Sequence, residues 1–249
     1  MAEFADSPDP ETVRRRSVAT TDDTSVVTDD SRFGEALRDL KRRGCSLLVT
    51  GEVPFETRAA MSRRLFGTPD ERRYRLLGVT NTVGLPVDRY LPSGVAPAGD
   101  DVTVVDFADE LRGATASESP TSATPRPTVR TDDVDRLATL RTSMTSAIDR
   151  IGDRVGPFVA GELRVGVASL RGPFEDGGDH ARATIEHLVE DVVGHRGMVH
   201  CHLLGGTAAV ADLTDAFDVR IELRDRGTGV PEHRWVVPDR SVQTQWVAL

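Results

Sequence analysis

Lysine is almost absent from this chain. Of its 31 basic residues only Lys41 is a lysine, and the rest are arginine. That shortage removes the ammonium grip of a nucleotide-binding loop from every position but one. Cysteine is scarce as well. Cys45 and Cys201 both fall in apolar runs and no CxxC spacing occurs, so they read as small core hydrophobes rather than a redox pair. No apolar run approaches the roughly 20 residues of a membrane span. The opening "MAEFADSPDPETVRRRSVATTDDTSVVTDDS" lacks the hydrophobic segment of a secretory signal. Both absences point to a cytoplasmic protein with no membrane contact. An excess of positive charge is also missing. The net charge of −9 argues against a general nucleic-acid binder, which needs a basic face to neutralise phosphates. No internal repeat is present.

What the chain does have is enough material for one sizeable core, with 249 residues and 38% hydrophobic content. Its abundance of Asp, Thr, Val and Arg, with an acidic balance, suits a halophilic host, because high salt screens the self-repulsion of such a surface. Residues 1–30 are polar and acidic without periodicity and predict a disordered tail. Residues 31–249 predict one α/β domain. Phe33, Leu37 and Leu40 mark a short amphipathic helix that Gly44 stops. "CSLLVT" (45–50), "YRLLGVT" (74–80), "DVTVVDF" (101–107), "GELRVGVASL" (161–170) and "GMVHCHLL" (197–204) predict strands. Helices are expected over 54–66, from Asp132 or Asp133 to about Ile151, over 179–194 and over 207–215. Residues 112–131 have the composition of a mobile insertion. From "FDVRIELRD" onward, alternation with Gly and Pro turns predicts an antiparallel meander. The expected architecture is a three-layer α/β sandwich, mainly parallel, with antiparallel strands at the C-terminal edge.

The segment "SLLVTGEVPFETRAAMSRRLFG" has the outline of a phosphate-binding loop: a buried strand, a glycine turn, a helix. Such a loop reads G-x-x-x-x-G-K-[ST], with backbone N–H groups curved round the phosphates, a lysine across them and a hydroxyl on magnesium. Aligned on Gly51, Glu56 stands at the second glycine, Thr57 at the lysine and Arg58 at the hydroxyl. Glu52 and Glu56 add negative charge where phosphate would lie. At about 5 Å each such pair opposes an anion by roughly 3 kcal/mol at an effective dielectric near 20.

From Ser31 to Leu249 the order of elements resembles the RecA/KaiC-like P-loop ATPases, in a degenerate, haloarchaeal and uncharacterised branch. In that family the strand carrying the magnesium-organising aspartate commonly ends in Asp-Ser-Leu. Here "RVGVASL" keeps Ser169 and Leu170 but has Ala168 at the aspartate position. "MVHCHLL" matches the family's sensor strand, and the C-terminal hairpins match its closing strands. The acid that activates water in active members should follow the second strand. Here "NTVGLP" offers no carboxylate before Asp88. The resemblance therefore implies a vestigial nucleotide loop of Gly51, Glu52, Glu56, Thr57 and Arg58, with Ala168 and Ser169 at the opposite wall. It implies no catalytic residue, no metal and no cofactor.

Other constellations carry ordinary readings. His200 and His202 share one face of a strand with His195 nearby, two convergent groups where zinc needs three or four. Asp106 ends the third strand, where a capping or loop role is expected. His180 and His187 share one side of a helix with Glu186 and Asp191, a solvated or partly buried face. Arg63, Arg64, Arg72, Arg73 and Arg75 form a basic cluster, read as a solvated face interleaved with Asp70 and Glu71. The resulting expectation is a non-catalytic regulatory or scaffold protein acting through a protein partner or its own copies. The alternatives are an ATP- and magnesium-binding ATPase that uses Arg58 in place of lysine, and an accessory recombination protein that binds nucleic acid.

Overall fold

The computed structural model describes residues 23–79, 86–106, 132–170, 178–203, 207–227 and 229–249. The expected insertion at 112–131 and the "NTVGL" stretch lie outside them, as do residues 1–22. The order is α1 (Asp23–Arg43), β1 (Cys45–Thr50), α2 (Phe55–Phe66), β2 (Tyr74–Val79) and β3 (Val102–Asp106). It continues with α3 (Asp132–Val155), β4 (Leu163–Val167), α4 (Gly178–Gly194), β5 (Met198–Leu203), α5 (Thr207–Thr214) and β6 (Val219–Arg224). Three short strands close it: β7 (Glu232–Val237), β8 (Val242–Gln243) and β9 (Val247–Ala248).

The strands form one sheet in the order β3-β2-β4-β5-β1-β6-β7-β8, with β9 also paired to β7. β1, β2 and β5 are buried at every position, because helices cover both faces. One face carries α3, α4 and α5, whose Met144, Ile148, Ile185, Leu188 and Leu213 pack on Leu48, Leu76, Val165 and Val199. The other carries α1 and α2, whose Leu40, Met61 and Leu65 pack on Leu47, Val49 and Ile221. The fold is therefore a mixed α/β sandwich with a mostly parallel sheet and antiparallel edge strands.

Three details differ from the sequence reading. The first helix begins at Asp23, inside the stretch read as tail. Lack of apolar periodicity does not exclude helicity. β6 is parallel to β1, with Leu47 opposite Val219 and Thr50 opposite Glu222, so the antiparallel part starts only at β7. α5 returns the chain across the sheet, which forces that direction. Arg75 is not on a solvated face: it is buried in β2 and pairs with Asp101 at 2.5 Å. Its neighbours are engaged too, Arg73 with Glu71 at 2.9 Å and Arg72 with the Tyr74 hydroxyl at 2.6 Å.

Asp218 fastens α1 to the sheet. Its carboxylate accepts the Ser46 N–H at 2.9 Å and the Arg43 guanidinium at 2.5 Å. Asp218→Ala leaves the Ser46 N–H unpaired beside β6 and should cost about 2 kcal/mol in urea unfolding, with an unchanged denaturant slope. A loss under about 0.5 kcal/mol would show that water replaces the carboxylate without penalty.

Candidate functional site

The chain leaves β1 through α2 on one face of the sheet, and leaves β4 and β5 through α4 and α5 on the other. Where neighbouring strands send their connections to opposite faces, a crevice opens at their carboxyl ends, the usual place for a ligand in an open α/β sheet. Gly51, at the end of β1, and Ala168, just past the end of β4, both stand at this edge. The two lie on the same carboxyl edge with β5 between their strands.

Gly51, Glu56 and Thr57 of the cradle each have an internal occupation. Gly51 has φ +127°, and a Cβ there would lie 2.2 Å from the Leu223 carbonyl oxygen of β6. Glycine is required by strand packing, with or without a phosphate. Pro54 stands at the N-cap of α2 and contributes no N–H. Its carbonyl accepts the Thr57 N–H at 3.1 Å, and Thr57 itself is buried. Glu52 is exposed on the turn. Glu56 points to the 87–90 turn, where its carboxylate pairs with Arg89 at 2.5 Å. Arg63, about two turns further along α2, donates to the Arg89 carbonyl at 2.6 Å. The sequence offers no lysine opposite Glu56; an arginine 33 residues away, Arg89, supplies the cation. Lys41 is no substitute for the missing lysine, since it sits at the far end of α1, beside the amino end of β1.

Arg58 lies over the Phe55 ring, 5.8 Å from its centroid, and Phe55 meets Tyr90 edge-on at 5.4 Å. Its Nε is buried without a hydrogen-bond partner. Ala168 is 2% exposed and packs with Phe66, Leu77, Tyr90 and Leu91. Its N–H donates to the Gly78 carbonyl at 2.9 Å. Ser169 follows, half-buried and engaged in an interaction of its own. A carboxylate in place of the Ala168 methyl would be desolvated among these rings rather than held toward a cation. The residues present therefore do not fit an ATP·magnesium pair: no lysine, no carboxylate at the end of β4, and a proline where the cradle needs donors.

Behind α2 lies a polar cluster that the sequence did not reveal as a unit. His200 and His202, both on β5 and fully buried, converge on Ser62 of α2. The Ser62 Oγ is 2.7 Å from His202 Nε2 and 3.3 Å from His200 Nε2. A serine donates one hydrogen, so one imidazole accepts it and the other donates Nε2–H to the same oxygen. Both rings are held neutral. Burial pushes His202 down to about 3, with the Arg58 charge acting the same way. Burial likewise pushes His200 well below the usual histidine range, helped by His202 and Arg164. His195 is elsewhere, its Nδ1 2.7 Å from the Asp191 carbonyl. Among the described residues no three His, Cys, Asp or Glu side chains gather as a metal site. Cys45 and Cys201 are buried free thiols, and burial raises Cys45 to about 12.

Residues 44–223 match a family of unknown function, DUF7504. The chain belongs to that family. The matched interval runs from Gly44, just before β1, through most of β6, and so leaves out α1 and the antiparallel edge of this DUF7504 member. None of the curated proteins matches the chain. Among solved structures, the uncharacterized protein PH0321 from Pyrococcus horikoshii, crystallised with an unknown peptide, is similar with a TM-score of 0.46 and 13% identity. The match covers 85% of this chain and 97% of that one. No described helix is long and apolar enough to cross a membrane.

Proposed function

We propose that this DUF7504 chain is a non-catalytic regulatory or scaffold protein with a RecA/KaiC-like P-loop ATPase fold, whose nucleotide site has been given over to internal contacts. It acts through a protein partner or through copies of itself. The observation that carries this reading is the end of β4, where Ala168 is a buried methyl in an apolar cluster. The Glu56–Arg89 pair and Pro54 support it from the other side of the crevice. The exposed side chains of Val230 and Val247, near the antiparallel edge, offer a partner an apolar footing.

One observation favours a second reading. The Arg58 Nε is buried and unpartnered, and an arginine is a competent phosphate ligand. An ATPase with a rearranged site would use it. Phosphate release from ATP with magnesium separates the two. The first reading expects release at the buffer rate, equal in the parent and in Arg58→Ala. Turnover that disappears in Arg58→Ala would establish the second.

A further inference from the structure

At the opposite end of the sheet from Gly51, the amino ends of β1, β4 and β5 open into a cavity of about 710 Å³ between α1 and the last turn of α2. Its volume is in the range of small-molecule sites. Leu37, Leu40, Leu65, Met198 and Trp235 give it an apolar lining. Lys41, Arg64, Arg73, Arg164 and Arg196 also line it, against the single acid Glu71. This chain carries net charge −9, yet the cavity gathers five cations, among them its one lysine. Glu71 is already paired with Arg73.

Arg164 is the decisive group. It lies half-buried in β4, and among the described residues no carboxylate forms an ion pair with it, Glu71 of the same lining acting on it only at longer range. Its Nε donates to the Gly161 carbonyl at 3.0 Å, and its Nη1 sits 2.7 Å from the Met198 sulfur. A thioether is a weak acceptor for a guanidinium. Burial, with Arg73 adding to it, pulls Arg164 down to about 10. A cation so placed is relieved by an anion, and the planar guanidinium fork suits a carboxylate or phosphate, with the exposed Lys41 and Arg64 adding positive charge at the rim.

We propose that this cavity binds a small organic anion, with its carboxylate or phosphate on Arg164 and its apolar body against Leu37, Leu40 and Trp235. The site is independent of the crevice at Gly51, and its fate does not bear on the function proposed above.

The test uses the full chain carrying Trp246→Phe, which leaves Trp235 as its one tryptophan, with octanoate, octanol and acetate as probes, read by the fluorescence of Trp235. Octanoate should bind saturably, at least ten-fold more tightly than octanol or acetate, and Trp235→Phe should abolish the signal. Arg164→Met keeps the packing and removes the charge, and should weaken octanoate at least ten-fold. Lys41→Ala with Arg64→Ala, both at exposed helical positions, should weaken it similarly and decides the matter if Arg164→Met does not fold. The proposal is overturned if octanol binds as well as octanoate, or if octanoate affinity is unchanged in the charge variants. A signal that persists in Trp235→Phe, or no saturation up to about 10 mM octanoate, would overturn it equally.

Discussion

Gly51→Ala should cost about 3–5 kcal/mol, with or without nucleotide, and is the most damaging single change expected in the loop. Two terms add. A φ of +127° is open to glycine and strained for any residue with a Cβ, at about 1–3 kcal/mol. The new Cβ would also meet the Leu223 carbonyl oxygen at 2.2 Å, and this is backbone held in β6. It moves only if β6 peels from β1 beyond the Thr50–Glu222 pair, an overpacking cost of about 1–3 kcal/mol. Against a typical total of about 5–15 kcal/mol the variant is marginal or unfolded. Urea unfolding checks it, with Glu52→Ala as the exposed neighbour expected to stay within about 0.5 kcal/mol of the parent. A Gly51→Ala loss below about 1 kcal/mol would mean that the glycine is not held by strand packing.

The second large effect is a steep loss of stability in mild acid. His200 and His202 are neutral in the fold, and each has a folded pKa below the unfolded value near 6.5. Above that value both states are neutral and the pair contributes no pH dependence. Below it the unfolded chain takes up protons that the fold refuses, so stability present at pH 7 is lost as pH falls. The His202 contribution continues to fall until about pH 3. At pH near 5 the two groups together should give a slope of about 2.7 kcal/mol per pH unit, corresponding to roughly two protons bound on unfolding. Burial lowers His233 as well, and it acts in the same sense. The positive charges facing the pair, Arg58 from α2 and Arg164 from β4, sharpen the effect rather than relieve it. Urea unfolding at pH 7.5, 6 and 5 measures the slope. His202→Gln, which retains a polar group toward Ser62, should reduce it by about one proton. A flat profile from pH 7 to 5 would show that the imidazoles reach water or are already charged in the fold.

Interior strands were the most legible feature of the sequence. β1, β2 and β5 are covered on both faces, so each is a mainly apolar run, and β1 and β5 have glycine at a border. β6 was recognised as a strand, but its direction was not. Its alternating burial records one well-covered face and says nothing of whether the partner runs parallel. The glycine turn after β1 was also readable, because a motif is a matter of spacing along the chain. What could not be read was the long-range pairing of polar groups. Arg75 finds Asp101 in a loop 26 residues on, and Arg89 reaches back 33 residues to Glu56. Ser62 meets the two histidines across 140 and 138 residues. A signal for the last cluster does exist in Gly166. A Cβ there would fall 2.6 Å from the Phe66 ring and 2.8 Å from His200, which marks a close approach of α2 and β5 over β4. Glycine in a strand otherwise made of Leu, Arg and Val is the trace such crowding leaves in a sequence.

The account rests on a crevice that keeps its backbone form while its polar groups serve the fold. Calorimetric titration of ATP with magnesium into the pure protein, in concentrated potassium chloride, tests this most directly. No saturable heat is expected, from the parent or from Arg58→Ala. Saturable binding in the micromolar range, lost on substitution of Arg58, would contradict it.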